Sequence, residues 1–457
     1  MTDKRTHQNF TFENYQFNKE TGALSLVYSL DEDKFEEKIY FPVENINWNK
    51  VNQNALETAF FNLHLIGGIG YWKTTLPKEM TIKSGSLDKD QAAFWDTLYT
   101  KGLGEFFFKN QIDFRDLVHF PYIDREAAAS KELDLPNGVL LPIGGGKDSL
   151  VSAELLFKNN KGFTSFSVHA HGPIKPCVEK IGKPWLLIKR EMDPLLFEWN
   201  KSGTVWNGHV PITAYISFVM VICCILYGYS DIVFSLEKSA DEGMVEYLGM
   251  MVNHQYSKSY EFEEMLHAYI KKYISPSIEY YSLLRPWYEL KITEQFAASH
   301  GYTHSKKTSE PERDYLSIFS SCNRNFTINK QAPSTLWCGK CEKCAFVFLM
   351  LAAFLPKAKL LEIFGADLFE DDDQLKTYKE LLGLEGHKPF ECVGTPKESA
   401  VAFYKVREKG EFKGSLMMEM FEKEYMPGFT EYEEWEKEVM ATTLTKTMPE
   451  EIQKLFI

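Results

Sequence analysis

The stretch that decides the fold is residues 138–156, GVLLPIGGGKDSLVSAELL. A short apolar run ends in three glycines, and a helical pattern of apolar residues follows at once. This order predicts a strand, a tight turn and a helix, an arrangement in which main-chain N–H groups and the helix N-terminus face an anion. Glycines let the main chain approach a phosphate, Ser149 adds a hydroxyl, and Asp148 adds a carboxylate for magnesium. The alternative interpretation is an ordinary turn in which Asp148 or Ser149 caps the helix.

The loop 144–149 lacks the Gly-x4-Gly-Lys-Ser/Thr spacing of a Walker loop. It resembles instead the PP-loop of ATP pyrophosphatases, which cleave ATP to AMP and pyrophosphate. The resemblance implies that ATP binds here, with magnesium held through Asp148. The loop residues expected to bind ATP are Gly144, Gly145, Gly146, Lys147, Asp148 and Ser149.

Strand and helix patterns alternate after residue 136, which is typical of an α/β fold with a doubly wound, mostly parallel sheet. The PP-loop resemblance implies the adenine nucleotide alpha hydrolase-like type of this fold. Ligands bind such sheets at the carboxyl ends of strands. A predicted strand at 231–235 ends in a polar segment that adds three residues to the expected ATP site, namely Glu237, Lys238 and Ser239.

The patterns divide the chain into three expected regions. These are an N-terminal α+β region at 1–135, a PP-loop ATP-binding α/β domain at 136–318, and a cysteine-rich, helical C-terminal region at 319–457. Within the first region, helical spacing over 50–66 predicts a helix and Gly67–Gly70 predicts its break. Tyr71, Trp72 and Lys73 follow, and we interpret them as an aromatic and cationic wall for a nucleotide or sugar, or as a surface turn.

The 457-residue chain carries a formal net charge of −13, which argues against broad binding to nucleic acid or to anionic membranes. Pro211–Tyr229 is almost wholly apolar but contains Thr213, Tyr215 and Ser217, so we interpret it as a buried helix and not as a membrane span. The polar segment Met1–Asn18 contains no apolar signal core. We therefore expect a cytoplasmic protein without membrane insertion and without a nucleic-acid partner.

Eight cysteines are few for this length, and four of them cluster. Cys338, Cys341 and Cys344 follow one another at CxxC spacing, and fifteen residues separate them from Cys322. Four thiolates at this spacing suit a tetrahedral structural zinc, and they also suit an iron–sulfur cluster. Reduced cysteines without a metal are the remaining interpretation.

Other polar segments carry side chains suited to proton transfer or anion binding. His209 directly precedes the apolar segment, and His254 and Lys258 lie in NHQYSKS at 253–259. His254 is a candidate general base, and Lys258 is a candidate cation for a carboxylate or phosphate. Arg285 either forms a bidentate hydrogen bond with a phosphate or carboxylate, or forms an ion pair with Glu289.

Together these segments resemble the UDP-N-acetylmuramoyl-L-alanyl-L-glutamate epimerase family (MurL-type) of bacterial cell-wall synthesis, from about residue 10 to residue 400. The resemblance rests on GGIGYWK at 67–73, GLGEF at 102–106, PIGGGKDS at 142–149, NGHVP at 207–211, EKSA at 237–240, VNHQYSK at 252–258, LRP at 284–286, SCN at 321–323 and WCGKCEKC at 337–344. Trp72, Leu236 and Lys238 depart from the Tyr, Asn and Arg of the family pattern.

The resemblance implies that UDP-MurNAc-L-Ala-L-Glu, ATP and water give the D-Glu epimer, AMP and pyrophosphate in peptidoglycan biosynthesis. The expected cofactors are ATP and Mg²⁺, with a structural Zn²⁺ that the cysteine spacing indicates, and the implied partner is the UDP-muramoyl dipeptide. Expected catalytic residues are His254, Lys258 and His209. Expected substrate-binding residues are Tyr71, Lys73, Asn207, Asn253 and Arg285.

Three other functions remain compatible with these patterns. The first is a PP-loop enzyme that adenylates a nucleobase or tRNA for amidation or thiolation, similar to queuosine-precursor synthases. The second is a cofactor-independent racemase with two cysteine thiols as acid and base. The third is a non-catalytic scaffold that binds a nucleotide or a metal.

Overall fold

The computed structural model describes residues 4–126, 130–136, 138–303, 306–325 and 335–456. The strands within these ranges are β1 Asn9–Phe17, β2 Ala23–Leu30, β3 Asp33–Tyr40, β4 Glu79–Ile82, β5 Val139–Pro142, β6 Phe163–Val168, β7 Trp185–Glu191, β8 Asp231–Phe234, β9 Val245–Tyr247, β10 Met250–Val252, β11 Glu279–Ser282, β12 Tyr302–Thr303 and β13 Lys306–Lys307.

The α-helices of the same ranges are α1 Gln53–Trp72, α2 Lys89–Gly102, α3 Gly104–Asn110, α4 Lys147–Lys158, α5 Ile174–Ile181, α6 Pro194–Ser202, α7 Ile212–Tyr227, α8 Tyr260–Tyr273, α9 Glu289–Ser299, α10 Glu342–Ala352, α11 Lys357–Phe364, α12 Leu375–Leu381, α13 Pro396–Lys409, α14 Leu416–Met420, α15 Tyr432–Val439 and α16 Glu450–Gln453.

Nine strands form one large, mostly parallel sheet in the order β11-β8-β5-β6-β7-β3-β2-β1-β4. The strands β5 and β8 pair in parallel, as do β1 and β4. The meander β1-β2-β3 pairs antiparallel, and β3 continues antiparallel to β7. The predicted α/β fold with a large, mostly parallel sheet is confirmed. The antiparallel extension is an additional feature, formed by the strands of the first forty residues.

Helix α1 runs without interruption through the glycines at 67–70, so the predicted break is wrong. A Cβ atom on Gly67 would lie 2.4 Å from the hydroxyl oxygen of Tyr28, and one on Gly68 would lie 2.4 Å from the ring of Phe12. The side chains of strands β1 and β2 occupy the space that a larger residue would need. These glycines therefore serve close packing of helix on sheet and do not end the helix.

The apolar segment after residue 211 forms α7, which is almost wholly buried and packs against α1. It ends at Gly228, whose φ of 81° is the left-handed conformation that glycine adopts readily. In the described part of the chain, no helix is both long enough and apolar enough to cross a bilayer.

The chain divides into two compact units, each assembled from separated segments. Unit 1 consists of residues 1–140, 186–232 and 245–281 and contains α1 packed against α7. Unit 2 consists of residues 141–185, 233–244 and 282–457. In unit 2, α4 packs against α9, and α10 packs against α9 and α13, which gives the helical C-terminal region that the sequence predicts.

Candidate functional sites

The glycine loop of unit 2 ends at the N-terminus of helix α4, where no side chain caps the helix. Gly145 has φ 82°, and a Cβ atom there would lie 2.6 Å from Cγ of Pro173. The N-cap residue of the twelve-residue helix α4 is Gly146, which makes no side-chain capping hydrogen bond. The hydroxyl of Ser149 donates to the carbonyl oxygen of Gly146, 3.1 Å away. Capping by Asp148 or Ser149 is therefore not what forms the turn, and a helix N-terminus of this kind favours an anion.

Three carboxylates gather beside this loop. Oxygen atoms of Asp148, Glu237 and Glu289 all lie within 4.8 Å of one another. Lys147 lies among them, with Nζ 2.5 Å from Oδ1 of Asp148 and 2.7 Å from Oε1 of Glu289. Carboxylate oxygens at this spacing can hold a hard divalent cation such as magnesium.

Burial and neighbouring charges shift the pKa values of Lys147 and Glu289 in this cluster. Lys147 is 4% exposed and Glu289 is 2% exposed. Burial alone would lower the pKa of Lys147, but the charges of Asp148 and Glu289 raise it. Burial, together with the charge of Asp148, raises the pKa of Glu289. Among the described residues, Oε2 of Glu289 has no hydrogen-bond partner, so the cluster retains one buried oxygen for a ligand.

The remaining residues predicted for the ATP site also lie in unit 2, as does Arg285, which is predicted to bind substrate. Ser239 is buried, and its hydroxyl accepts a hydrogen bond from the main-chain N–H of Glu289, 3.1 Å away. Arg285 is 1% exposed, and its Nη1 donates to the carbonyl oxygen of Glu237 at 2.7 Å. The ammonium of Lys238 lies 4.8 Å from the centre of the Tyr288 ring.

The four clustered cysteines of unit 2 come together as a candidate metal centre. Their Sγ atoms are 3.5 Å apart for Cys341 and Cys344, 3.8 Å for Cys338 and Cys344, and 4.0 Å for Cys322 and Cys341. A regular tetrahedron with zinc–sulfur bonds of about 2.3 Å has edges of about 3.8 Å, whereas a disulfide needs sulfurs about 2.05 Å apart. The donor set and its spacing therefore fit a structural zinc site with four cysteine ligands.

Unit 1 contains a second cluster, in which one carboxylate faces two imidazoles. Oε2 of Glu105, on α3, hydrogen-bonds Nδ1 of His254 and lies 3.4 Å from Nδ1 of His209. His254 follows strand β10, which packs against α3, and His209 lies just before α7. On the other oxygen, Lys109 reaches Oε1 of Glu105 at 2.5 Å. Three distant parts of the chain thus form one site, and its carboxylate and two imidazoles also suit a divalent metal.

The environment sets the charge of this cluster. Burial would raise the pKa of Glu105, but the hydrogen bond and charge of His254, with smaller contributions from His209 and Lys109, lower it to about 2. Burial lowers the pKa of His209 to about 3, assisted by the charges of His254 and Lys258. At neutral pH the cluster therefore holds an ionised carboxylate beside a neutral His209, and Lys258 lies close enough to influence that imidazole.

The other residues predicted to bind substrate occupy varied environments in unit 1. Tyr71 is 1% exposed, and its hydroxyl donates to Oε2 of Glu37, 3.3 Å away. The side-chain oxygen of Asn253 accepts from the N–H of Gln255, and that of Asn207 accepts from the N–H of Gly208. Lys73 is 5% exposed, with its ammonium 5.2 Å from the centre of the Phe106 ring.

Sequence reasoning did not single out Glu105 or Glu289. Glu105 lies 149 residues from His254, and Glu289 lies 142 residues from Lys147. Neither distance leaves a spacing pattern in the sequence. The available signals were the GLGEF segment, which the family resemblance already included, and the pairing considered between Glu289 and Arg285.

The fold and its sites define a mixed α/β protein with a glycine loop beside clustered carboxylates, a four-cysteine centre and a buried carboxylate–imidazole cluster. Two family models match this chain, the MurL N-terminal domain over residues 1–283 and the MurL C-terminal domain over residues 318–438. The chain therefore belongs to the MurL family, which confirms the resemblance read from its motifs.

Similar proteins cover nearly the whole chain. A protein of Xanthomonas oryzae pv. oryzae is 38% identical over 426 residues, which are 93% of this chain and 91% of the relative. Relatives from Salinispora tropica and a Micromonospora species are 35% and 34% identical over 86% and 88% of this chain, and cover 83% and 88% of their own lengths. All three are named UDP-N-acetyl-alpha-D-muramoyl-L-alanyl-L-glutamate epimerase. No solved structure matches the chain.

Proposed function

We propose that this protein epimerises the terminal L-glutamate of UDP-MurNAc-L-Ala-L-Glu to D-glutamate, consuming ATP and releasing AMP and pyrophosphate. The observation that carries the epimerase assignment is the identity of 34–38% with three epimerases over 86–93% of the chain. The glycine loop at the N-terminus of α4 and the buried carboxylate–imidazole cluster support the chemistry that such a reaction needs.

The need for ATP follows from the acidity of the substrate. Removing the Cα proton beside a free carboxylate would place a carbanion next to an anion. In the proposed reaction, a carboxylate oxygen attacks the α-phosphorus of ATP and pyrophosphate leaves. The resulting acyl-adenylate carries no charge on its carbonyl, so the electron pair of the broken C–H bond moves into an enolate. After a proton returns to the opposite face, water attacks the acyl carbon and AMP leaves.

Unit 2 provides the groups proposed to bind ATP. The main-chain N–H groups of 144–149 and the N-terminus of α4 would bind phosphate oxygens, because both present partial positive charge. Lys147 and Arg285 add buried positive charge. Asp148, Glu237 and Glu289 would hold magnesium, which when bound neutralises phosphate charge and stabilises the leaving group.

Unit 1 provides the groups proposed for proton transfer. An ionised carboxylate only accepts hydrogen bonds, so the Nδ1 atom of His254 must carry the hydrogen that it shares with Glu105. A neutral His254 then has its lone pair on Nε2 and can act as a base. His209 lies in the same cluster, and Lys258 is close enough to lower the pKa of His209, so both are proposed to assist the proton transfer.

The four-cysteine centre is proposed to hold a structural zinc. Cys341 precedes α10 and Cys344 lies in its first turn, so a bound ion would fix the start of this buried helix. All four ligand positions are cysteines, and a closed donor set of this kind is typical of structural and not catalytic zinc.

The test is one incubation of the protein with magnesium-ATP and UDP-MurNAc-L-Ala-L-Glu in D₂O. We expect AMP, pyrophosphate and a D-glutamate product that carries deuterium at Cα. A matched substrate with its α-carboxylate converted to an amide should yield no AMP, because it lacks the attacking oxygen. Formation of the D epimer without ATP would overturn the proposal and favour a thiol-based racemase.

A further inference from the structure

Epimerisation requires proton transfer on both faces of Cα. The cluster around Glu105 supplies a base in His254, and the opposite face needs a second group that can deliver a proton. This inference rests on the proposed function and concerns unit 1 alone.

Lys73 is a buried ammonium without the partners that usually accompany one. It lies at the C-terminal end of α1 and is 5% exposed. Within the described ranges it has neither an ion pair nor a hydrogen bond through Nζ, and its ammonium faces the ring of Phe106 at 5.2 Å. Burying an unpaired charge is unfavourable, so a lysine retained in this environment is a candidate for a functional role.

Lys409 of unit 2 is a second buried lysine with which Lys73 can be compared. Burial lowers the pKa of both Lys73 and Lys409 to about 8. The ammonium of Lys409, however, donates to the carbonyl oxygens of Ala352 and Leu355 at 2.7 and 2.6 Å, where it caps the end of α10. Lys409 thus has a structural explanation that Lys73 lacks.

Lys73 and the segment that leads into His209 lie against the same aromatic side chain, that of Phe106. Phe106 follows Glu105 directly on α3, and a Cβ atom on Gly208 would lie 3.2 Å from its ring. Gly208 directly precedes His209. The N–H of Trp206 donates to the carbonyl oxygen of Thr74 at 2.8 Å, which ties the segment before His209 to the residue after Lys73.

We propose that Lys73 is the second proton-transfer residue, acting on the face of Cα opposite to His254. In the direction from L to D, Nε2 of His254 takes the Cα proton and the electron pair enters the enolate of the acyl-adenylate. The ammonium of Lys73 then gives its proton to the other face and is left as an amine. Solvent returns a proton to Lys73 and removes one from His254, so the enzyme is regenerated.

The experiment compares Lys73→Met with the wild-type protein in D₂O. Methionine suits the buried site because it keeps the unbranched chain and removes the charge. We expect AMP formation to continue and D-glutamate formation to fall by about 100-fold, the scale of a lost general acid. The recovered L-glutamate should carry deuterium at Cα, because His254 exchanges its proton with solvent and returns it to the same face.

Three further variants separate a catalytic role of Lys73 from a structural one. Lys73→Ala should regain D-glutamate formation when ethylamine is added, and Lys409→Met should keep both activities of the wild-type protein. Circular dichroism will verify that each variant is folded. His254→Asn should place deuterium in neither epimer.

The outcomes are distinct. Wild-type rates of D-glutamate formation in Lys73→Met would overturn the assignment of Lys73. If Lys73→Met loses both AMP formation and deuterium incorporation to the same extent, the assignment would also be overturned, because that result would indicate a role of Lys73 in substrate binding. If the wild-type protein forms the D epimer without AMP, the proposed use of ATP fails, while the position of deuterium in Lys73→Met still decides the role of Lys73.

Discussion

Glu105 and His254, which are 149 residues apart in the chain, share a hydrogen bond between Oε2 and Nδ1. Burial would raise the pKa of Glu105, but its interaction with His254 outweighs that effect and lowers the pKa to about 2, so the carboxylate is ionised at neutral pH. The hydrogen bond therefore orients the ring of His254. It leaves Nε2, the nitrogen that does not contact Glu105, as the basic nitrogen.

Glu105→Gln tests this orientation. The amide can still hydrogen-bond His254, but it cannot stabilise the imidazolium that forms when the Cα proton is taken. We expect kcat for D-glutamate formation to fall by about 100-fold with little change in KM. Lys109→Met is the matched control, since it removes the exposed partner of the other carboxylate oxygen of Glu105. Its kcat should stay within roughly threefold of wild type. Equal losses in both variants would contradict the orienting role.

Asp148→Asn tests the carboxylate cluster beside the glycine loop. The change removes one charge from the proposed magnesium site and one partner of Lys147. We expect pyrophosphate release to fall by about 100-fold, because magnesium no longer neutralises the phosphates during transfer. Ser152→Ala on the same helix removes a fully buried hydroxyl that makes no hydrogen bond within the described ranges, and it should leave the rate unchanged. Unaltered pyrophosphate release in Asp148→Asn would place the metal elsewhere.

Cys338→Ser tests the proposed zinc centre. Atomic emission spectrometry should find about one zinc per wild-type chain, and the variant should lose most of it because a tetrahedral site needs all four ligands. Its thermal midpoint should fall, since metal binding contributes to folding. Cys392→Ser, in the same unit but outside the cluster, should retain the metal. Iron in place of zinc, or no metal in the wild-type protein, would contradict the assignment.

His64 predicts a pH dependence of stability. It is fully buried in α1, with its ring nitrogens 3.0 Å from the carbonyl oxygen of Val27 and 3.1 Å from the hydroxyl of Ser84. Burial lowers its pKa to about 4, against about 6.5 in an unfolded chain. Because the unfolded chain binds the proton first, this contribution to stability is complete above about pH 6.5 and is lost as the pH falls towards 4.

Urea unfolding at about pH 7.5 and about pH 5 measures this effect. The free energy of unfolding should drop on acidification, with His64 accounting for a share on the order of 2 kcal/mol. His64→Gln keeps a donor for Val27 but does not titrate, so its drop should be smaller by that share. An identical pH dependence in the two proteins would contradict the account.

Local patterns in the sequence were sufficient for several features. The strand, glycine loop and helix around Lys147 are contiguous, and CxxC spacing brings three cysteines together within a few residues. Helix α7 was recognisable because nearly all of its side chains are apolar and therefore buried.

Other features depended on contacts between distant segments. Gly67 and Gly68 continue α1 because rings on strands β1 and β2 occupy the space beside them, which no local pattern reveals. Glu105 and Glu289 gain their roles only when the fold brings them to a histidine and a lysine far away in sequence. Propensity alone cannot identify such partners.

The most direct test of the central claim is to follow oxygen from substrate to nucleotide. The substrate is prepared with ¹⁸O in the α-carboxylate of its terminal L-glutamate and is incubated with the wild-type protein and unlabelled magnesium-ATP. If the carboxylate attacks ATP and water later attacks the acyl carbon, each AMP keeps one ¹⁸O atom, and AMP and D-glutamate form in equal amounts. AMP without ¹⁸O, or D-glutamate formed without AMP, would contradict the account.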